Sequence, residues 1–271
     1  MDVVQQTDFP NDDPSGGHGT HTMGTMCGNS TVSDDTIGVA PGANWIAANG
    51  INQSATVTGF VNDVLAAFQW MADPDSNEAT IDDVPDVVQN SWGVNGDFPG
   101  FADCFDDWNN AIINCEAAGV VVVFSAGNEG PNAETIRSPA TYEIDSVTVF
   151  AVGAVNADSD TIPPYDIAEF SSRGPSSCSP GIAIKPEVCA PGVEVYSSIP
   201  GLVSQPNRYT RLNGTSMAGP HVSGIVALMR EANPNAEVRE IKSVLMRTAM
   251  DWVSREKTTI TAWASWTHSR Q

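Results

Sequence analysis

Three short segments carry residue types that can support acyl transfer. The first is Gly17-His18-Gly19-Thr20-His21-Thr22-Met23-Gly24-Thr25. It opens a helical pattern and sets an imidazole among glycines, where another backbone can approach closely. A single His there is ordinarily structural, and two His three apart also fit a metal site. The second is Asn213-Gly214-Thr215-Ser216-Met217-Ala218-Gly219-Pro220-His221. It places Ser216 at the start of a helix, where free N–H groups and the positive dipole end favour developing negative charge. A Gly-Thr-Ser turn can also be no more than a helix cap. The third is Ser125-Ala126-Gly127-Asn128-Glu129-Gly130, which follows an apolar run directly. That puts Asn128 at the carboxyl edge of a sheet, where open α/β folds build their ligand crevices. A nucleophilic Ser needs a base within hydrogen-bond reach. The tetrahedral oxyanion it generates needs preorganised donors, which an Asn amide and a helix-terminal N–H supply. His18, Asn128 and Ser216 together meet those needs.

The elements that must hold these residues alternate between short β-rich runs and helical patterns, the signature of a parallel sheet with crossover helices. Asn44–Asn49, Asp86–Asn90, Val120–Phe124 and Ser146–Val155 read as strands. The unalternating Val run is typical of a strand buried on both faces. Thr58–Met71 reads as a helix, with Phe60, Val61, Val64, Leu65, Phe68 and Met71 at helical spacing. Phe101–Ala118 reads as another, with Phe101, Phe105, Trp108, Ile112 and Cys115 along one face. Met217–Ala232 and Glu237–Met250 complete the set, with Asn235 the expected N-cap of the last. Pro220 is expected in the first helical turn, where a missing N–H costs nothing.

Composition narrows the partners. The 271 residues carry 12 Lys and Arg against 33 Asp and Glu, a net charge of −21, with 41 % hydrophobic residues. Apolar content is ample for a core, which excludes wholesale disorder. Neutralising phosphates requires a basic surface, so nucleic acid and anionic membranes are not expected partners. No apolar run approaches the length that spans a bilayer. Five cysteines leave at least one unpaired within the chain. Cys104 and Cys115, if on one helix, stand roughly 16 Å apart. That is well beyond the ~7 Å a disulfide tolerates, so both read as core residues. Cys178 and Cys189 lie in loop-like sequence and form the candidate pair, and Cys27 reads as a buried thiol. The acidic stretch Asp73–Asp86 is dense in hard oxygen donors suited to calcium, but its favoured reading is a solvated surface insertion.

With these segments in view, the chain resembles the subtilisin-like serine proteases over roughly residues 1–250, most densely their secreted bacterial members. Further segments carry the resemblance: Ile37-Gly-Val-Ala-Pro-Gly42, Asn90-Ser-Trp-Gly93, Phe170-Ser-Ser-Arg-Gly-Pro175 and Ile184-Lys-Pro-Glu-Val-Cys-Ala-Pro-Gly192. It implies an α/β three-layer sandwich with a mainly parallel central sheet. It implies serine endopeptidase activity, with His18 as general base, Ser216 as nucleophile, Asn128 as oxyanion donor and His21 as a structural histidine. Ser91-Trp92-Gly93 and Ser125-Ala126-Gly127 become the backbone edges of the primary specificity pocket and of the strand that pairs with substrate. No cofactor is implied for catalysis, and structural Ca2+ is possible. The expected protein is a secreted, extracellular monomer acting on protein or peptide substrates, its signal and pro-segment lying outside this chain.

Both ends depart from the family pattern. The third catalytic residue, an Asp on an early strand, is expected a few tens of residues before the base, yet only 17 residues precede His18. Asp2, Asp8, Asp12 and Asp13 lack the Asp-Ser/Thr-Gly context, and Asp12 and Asp13 read as part of the loop leading into the His segment. The expectation is therefore a catalytic domain over 1–250 with its first strand or strands missing, and an activity lowered by the order of 10⁴ that loss of this carboxylate costs. The alternative is an inactive or weakly active fragment retaining at most peptide binding; a third, non-enzymatic acidic binding module fits the intact His, Asn and Ser segments least. Residues 251–271 form an atypical tail. In the neighbouring reading frame Trp263-Ala264 and Trp266-Thr267 force Gly and Asp, and the remaining codons permit a family-like C-terminal segment. The expectation is a one-base frameshift near Met250–Trp252, which reading the DNA decides.

Overall fold

The computed structural model describes residues 12, 17–29, 36–51, 54–77, 79–143, 149–157, 164–178, 184–201 and 208–250. Asp2, Asp8, Asp13, the start of the Ser146–Val155 run and the tail 251–271 lie outside them.

Four strands, β1 (Val87–Asn90), β2 (Val121–Ser125), β3 (Phe150–Val155) and β4 (Val188–Pro191), form one sheet in the order β1-β2-β3-β4, every pair parallel. Every residue of β2 is buried because β2 has layers on both sides. Val122 and Phe124 face one cluster with Val61, Val64, Phe68 and Met71 of α2 (Val57–Ala72) and Ile112 and Cys115 of α3 (Asn109–Ala117). Val121 and Val123 face a second cluster with Ala218, Val222 and Val226 of α4 (Thr215–Ala232) and Ile241 and Leu245 of α5 (Val238–Thr248). The strand's period of two thus feeds two cores, and the result is the three-layer sandwich expected. A hairpin, β5 (Val195–Ile199) with β6 (Arg208–Leu212), packs against α1 (His18–Cys27).

Several local expectations need correction. Residues 44–49 form no strand; they pair with no neighbour among the described residues, and Trp45 and Ile46 are exposed. The helix expected from Phe101 begins only at Asn109. Upstream of it Asp103 accepts the Gly96 N–H through Oδ1 at 2.7 Å, and Ser138 Oγ donates to the Asp103 carbonyl at 2.9 Å. Such side-chain bonds to backbone compete with a helix. Phe101, Phe105 and Trp108 still pack on one another, from turns instead of a helix face. Cys104, released from the helix, forms a disulfide with Cys178, with Cα atoms 5.4 Å apart. Cys189 is a free buried thiol inside β4, so the Cys178–Cys189 pair is not formed. Cys27 and Cys115 are buried and free. The N-cap of α5 is Glu237, without a side-chain bond, not Asn235.

Three carboxylates of the acidic loop bond within the loop. Asp73 and Asp75 both accept the Asn77 N–H, Asp75 also takes the Thr80 hydroxyl, and Asp83 takes the Asp75 N–H. Among the described residues no group of three His, Cys, Asp or Glu is arranged to hold a metal.

Candidate active site

Ser216 is the second residue of α4, and the helix end that carries it is tied to the sheet. Pro220 is the sixth residue of α4, past the first turn, so the Ser216 carbonyl lacks its α-helical donor. Ser91, just beyond β1, fills the gap: its hydroxyl donates to Ser216 O at 3.0 Å. Ser125, the last residue of β2, donates its hydroxyl to Thr215 O at 2.9 Å. Behind them, Gln89 donates through Nε2 to Ser91 Oγ at 2.9 Å and accepts the Ser223 hydroxyl at 2.8 Å.

Asn128 follows β2 at its carboxyl edge. Its side-chain oxygen accepts from Thr215 N at 2.9 Å and from Thr215 Oγ1 at 3.0 Å. Thr215 Oγ1 also accepts the Gly127 N–H at 3.2 Å. With the carbonyl end of the amide engaged, Nδ2 makes no hydrogen bond among the described residues, and it would stand 3.6 Å from a Cβ on Gly214, the residue before α4. The chain can pass this closely because Gly127 holds φ +112°, a conformation that side chains rarely adopt.

His18 begins α1 as Ser216 begins α4, and the two helices pack together. Its outer face is exposed, yet protein around it lowers its pKa below the ordinary 6.5, desolvation outweighing the opposing charge of Asp12. Asp12 Oδ2 accepts the Thr20 N–H at 2.6 Å, at the amino end of α1, as a residue of the leading loop would. Ser216 Oγ donates to Ser91 O at 3.4 Å and not to His18. His21 is fully buried, with Nε2 3.1 Å from Val195 O and 3.3 Å from Thr210 O on the hairpin; burial keeps it neutral by lowering its pKa. His221 is likewise pushed down by burial and donates through Nδ1 to Met217 O at 2.9 Å.

Ser91-Trp92-Gly93 and Ser125-Ala126-Gly127 leave neighbouring parallel strands side by side. Trp92 turns inward: its indole donates to Asn90 Oδ1 at 3.1 Å and its ring lies edge-on to Trp108, 5.1 Å away. Sequence reasoning passed over Thr215 and Gln89. The visible signal was polar residues, Gln89 and Asn90, inside an otherwise apolar strand.

A parallel three-layer sandwich, with a serine at one helix N-terminus and a histidine at another, defines a class. The Subtilase family, peptidase S8, matches residues 2–265, and the chain belongs to it. Bacillopeptidase F of Bacillus subtilis (strain 168) is 37 % identical over 257 residues, which are 92 % of this chain and 16 % of that one. Serine protease AprX of the same strain is 32 % identical, over 93 % of this chain and 56 % of its own. Subtilisin DY of Bacillus licheniformis is 34 % identical, over 86 % and 70 %. Among solved structures, the S41 psychrophilic protease superposes with TM-score 0.67 at 29 % identity, over 86 % of this chain and 69 % of that one. Fervidolysin from Fervidobacterium pennivorans, described as a keratinolytic enzyme related to subtilisin, gives 0.65 at 28 %, over 92 % and 34 %. The chain thus spans 16 % of bacillopeptidase F and 56 % of AprX.

Proposed function

We propose that this chain is the catalytic unit of a serine endopeptidase. Ser216 Oγ attacks the scissile carbonyl, His18 takes its proton and later returns it to the leaving amine, and water releases the acyl-enzyme. The Asn128 amide and an N–H at the start of α4 stabilise the tetrahedral oxyanion. Ser91-Trp92-Gly93 and Ser125-Ala126-Gly127 line the pocket for the residue before the scissile bond and offer backbone to an extended substrate. The observation that carries the reading is the fixed polarity of Asn128: Thr215 holds its oxygen, so its donor end is presented beside Ser216. Family membership and relatives named as serine proteases support it. The substrates are proteins or peptides, and the protein works outside the cell as a monomer, over a catalytic domain of residues 1–250. None of the described helices is long and apolar enough to cross a membrane.

A second reading, a weakly active unit that mainly binds peptide, is favoured by one observation. The Ser216 hydroxyl donates to Ser91 O at 3.4 Å and not to His18. A fluorophosphonate probe separates the two: the first reading expects labelling that Ser216→Ala abolishes, and absence of Ser216-dependent labelling removes it. Supplying an upstream segment with an Asp-Ser/Thr-Gly strand should raise turnover by orders of magnitude, on the order of 10⁴.

A further inference from the structure

The sequence holds three Asn-Gly pairs, Asn49-Gly50, Asn95-Gly96 and Asn213-Gly214. In such a pair the glycine nitrogen can attack the asparagine side-chain carbon, because no Cβ hinders the approach and glycine backbone adapts readily. The attack needs two freedoms. The glycine N–H must not be held by an acceptor, and the asparagine amide must be able to turn onto it. Two of the pairs lack both. The Gly96 N–H is given to Asp103 Oδ1 at 2.7 Å, while the Asn95 amide donates to Asp97 Oδ2 at 3.1 Å and accepts the Asp97 N–H at 3.3 Å. The Gly214 N–H is given to Gly192 O at 2.8 Å, while the Asn213 amide accepts the Glu194 N–H at 2.6 Å and donates to Glu194 Oε1 at 3.1 Å.

Asn49-Gly50 has both. Asn49 is exposed, at the end of the 44–49 segment that joins no ladder among the described residues. Neither its amide nor the Gly50 N–H makes a hydrogen bond among the described residues. Gly50 itself is buried against α2, where a Cβ would stand 3.3 Å from Ala67 Cβ and 3.3 Å from Asp63 O. That contact does not block the attack, since the nucleophile is the adjoining backbone nitrogen and needs no approach from solvent.

We propose that Asn49 is a modification site, where the protein deamidates spontaneously to isoaspartate and aspartate. The Gly50 nitrogen bonds to Asn49 Cγ, its proton passes through water to Nδ2, the Cγ–Nδ2 bond breaks and ammonia leaves. Water then opens the cyclic imide at either carbonyl. Opening at Cγ restores the chain with aspartate. Opening at the main-chain carbonyl routes the chain through the former side chain as isoaspartate. Either product adds a carboxylate to a chain already at −21. Isoaspartate also lengthens the main chain by one methylene directly before Gly50, which has little spare room against α2. As the protein ages, the 44–50 segment gains charge and lifts from α2.

The test ages the Ser216→Ala protein in mildly alkaline buffer, folded and in urea. Each pair is followed by mass spectrometry of peptic peptides, where conversion registers as a gain of about 1 Da, and isoaspartate is counted by enzymatic methylation. Each folded rate is divided by that of the same pair in urea, which removes the effect of neighbouring sequence. Asn49 should keep at least about tenfold more of its urea rate than Asn95 or Asn213, the factor for opening one hydrogen bond. Asp103→Ala frees the Gly96 N–H and should raise the Asn95 rate, and Asn49→Gln should abolish the fast conversion. Hydrogen exchange over residues 44–51 should quicken with age in the parent and not in Asn49→Gln. Asn95 or Asn213 converting as readily as Asn49, an Asn95 rate indifferent to Asp103→Ala, or exchange unchanged by age each overturns the proposal. None of these readouts depends on Ser216 chemistry, so they leave the catalytic reading to its own test.

Discussion

The coupling between Ser91 and Pro220 can be measured. Pro220 deprives the Ser216 carbonyl of its helical donor, and the Ser91 hydroxyl replaces it at 3.0 Å. Ser91→Ala leaves that carbonyl unpaired in a partly buried setting, which costs about 1–2 kcal/mol, the lower part of the range for an orphaned polar group. It also strips Gln89 Nε2 of its acceptor, a loss that has nothing to do with residue 220. A double-mutant cycle isolates the first term. In Pro220→Ala the new N–H lies in reach of Ser216 O, so adding Ser91→Ala should cost only the Gln89 part. The expected coupling is about 1 kcal/mol, with the double variant more stable than the sum of the singles predicts. Urea unfolding followed by far-UV circular dichroism serves as the assay, in a Ser216→Ala background that prevents self-cleavage. Additivity within about 0.3–0.5 kcal/mol, the margin shown by independent sites, would refute the reasoning.

Other expectations are more direct. Lys185 and Glu187 form a fully buried ion pair at 2.7 Å, and burial raises the Glu187 pKa. Lys185→Met should cost about 3–5 kcal/mol in chemical denaturation near neutral pH. The deficit should shrink as pH falls, because the stranded carboxyl then takes a proton; a deficit that grows in acid would contradict this. Replacing Cys104 and Cys178 by Ser opens a cross-link between residues 74 apart, for which the chain-entropy relation gives about 4.5 kcal/mol, read as a drop in Tm. The lowered pKa of His18 places the half-point of fluorophosphonate labelling below pH 6.5, and Asp12→Asn, which removes the charge that raises it, should move the half-point lower still. Desolvation lowers the pKa of His21 and His221 in the folded protein, so stability should be full above their ordinary 6.5 and decline as pH drops below it, seen as a falling Tm. Asn128→Leu should lower the acylation rate by about 10²–10³.

What could be read from the sequence was local. The Val run of β2 and the spacing of Val61, Val64, Phe68 and Met71 reported their own burial, since period and burial are linked directly. The His, Asn and Ser segments were legible because each sits at an element boundary with its own glycine signature. The misreadings share one cause, which is long-range partnership. Phe101, Phe105 and Trp108 have helical spacing, but Asp103 bonds across a loop to Gly96 and draws Ser138 to its carbonyl. Cys104 lies beside Cys178 because that loop, and not a helix, carries it. Asn44–Asn49 has strand composition but no ladder partner among the described residues. Arg137 is unremarkable in sequence; it meets Gly93 and Gly127 because the sheet brings two distant segments together.

The Cys104–Cys178 cross-link closes a ring of short contacts. Ser138 holds Asp103, residues 138–141 follow, and Ser176 bonds to Thr141 at 2.6 Å, two residues before Cys178. The ring stops at Ser138 and ties together the connections that follow β1, β2 and β3. Its consequence is in the order of opening: with the cross-link cut, these connections are held to one another by side-chain hydrogen bonds alone and should exchange their amide hydrogens ahead of the sheet.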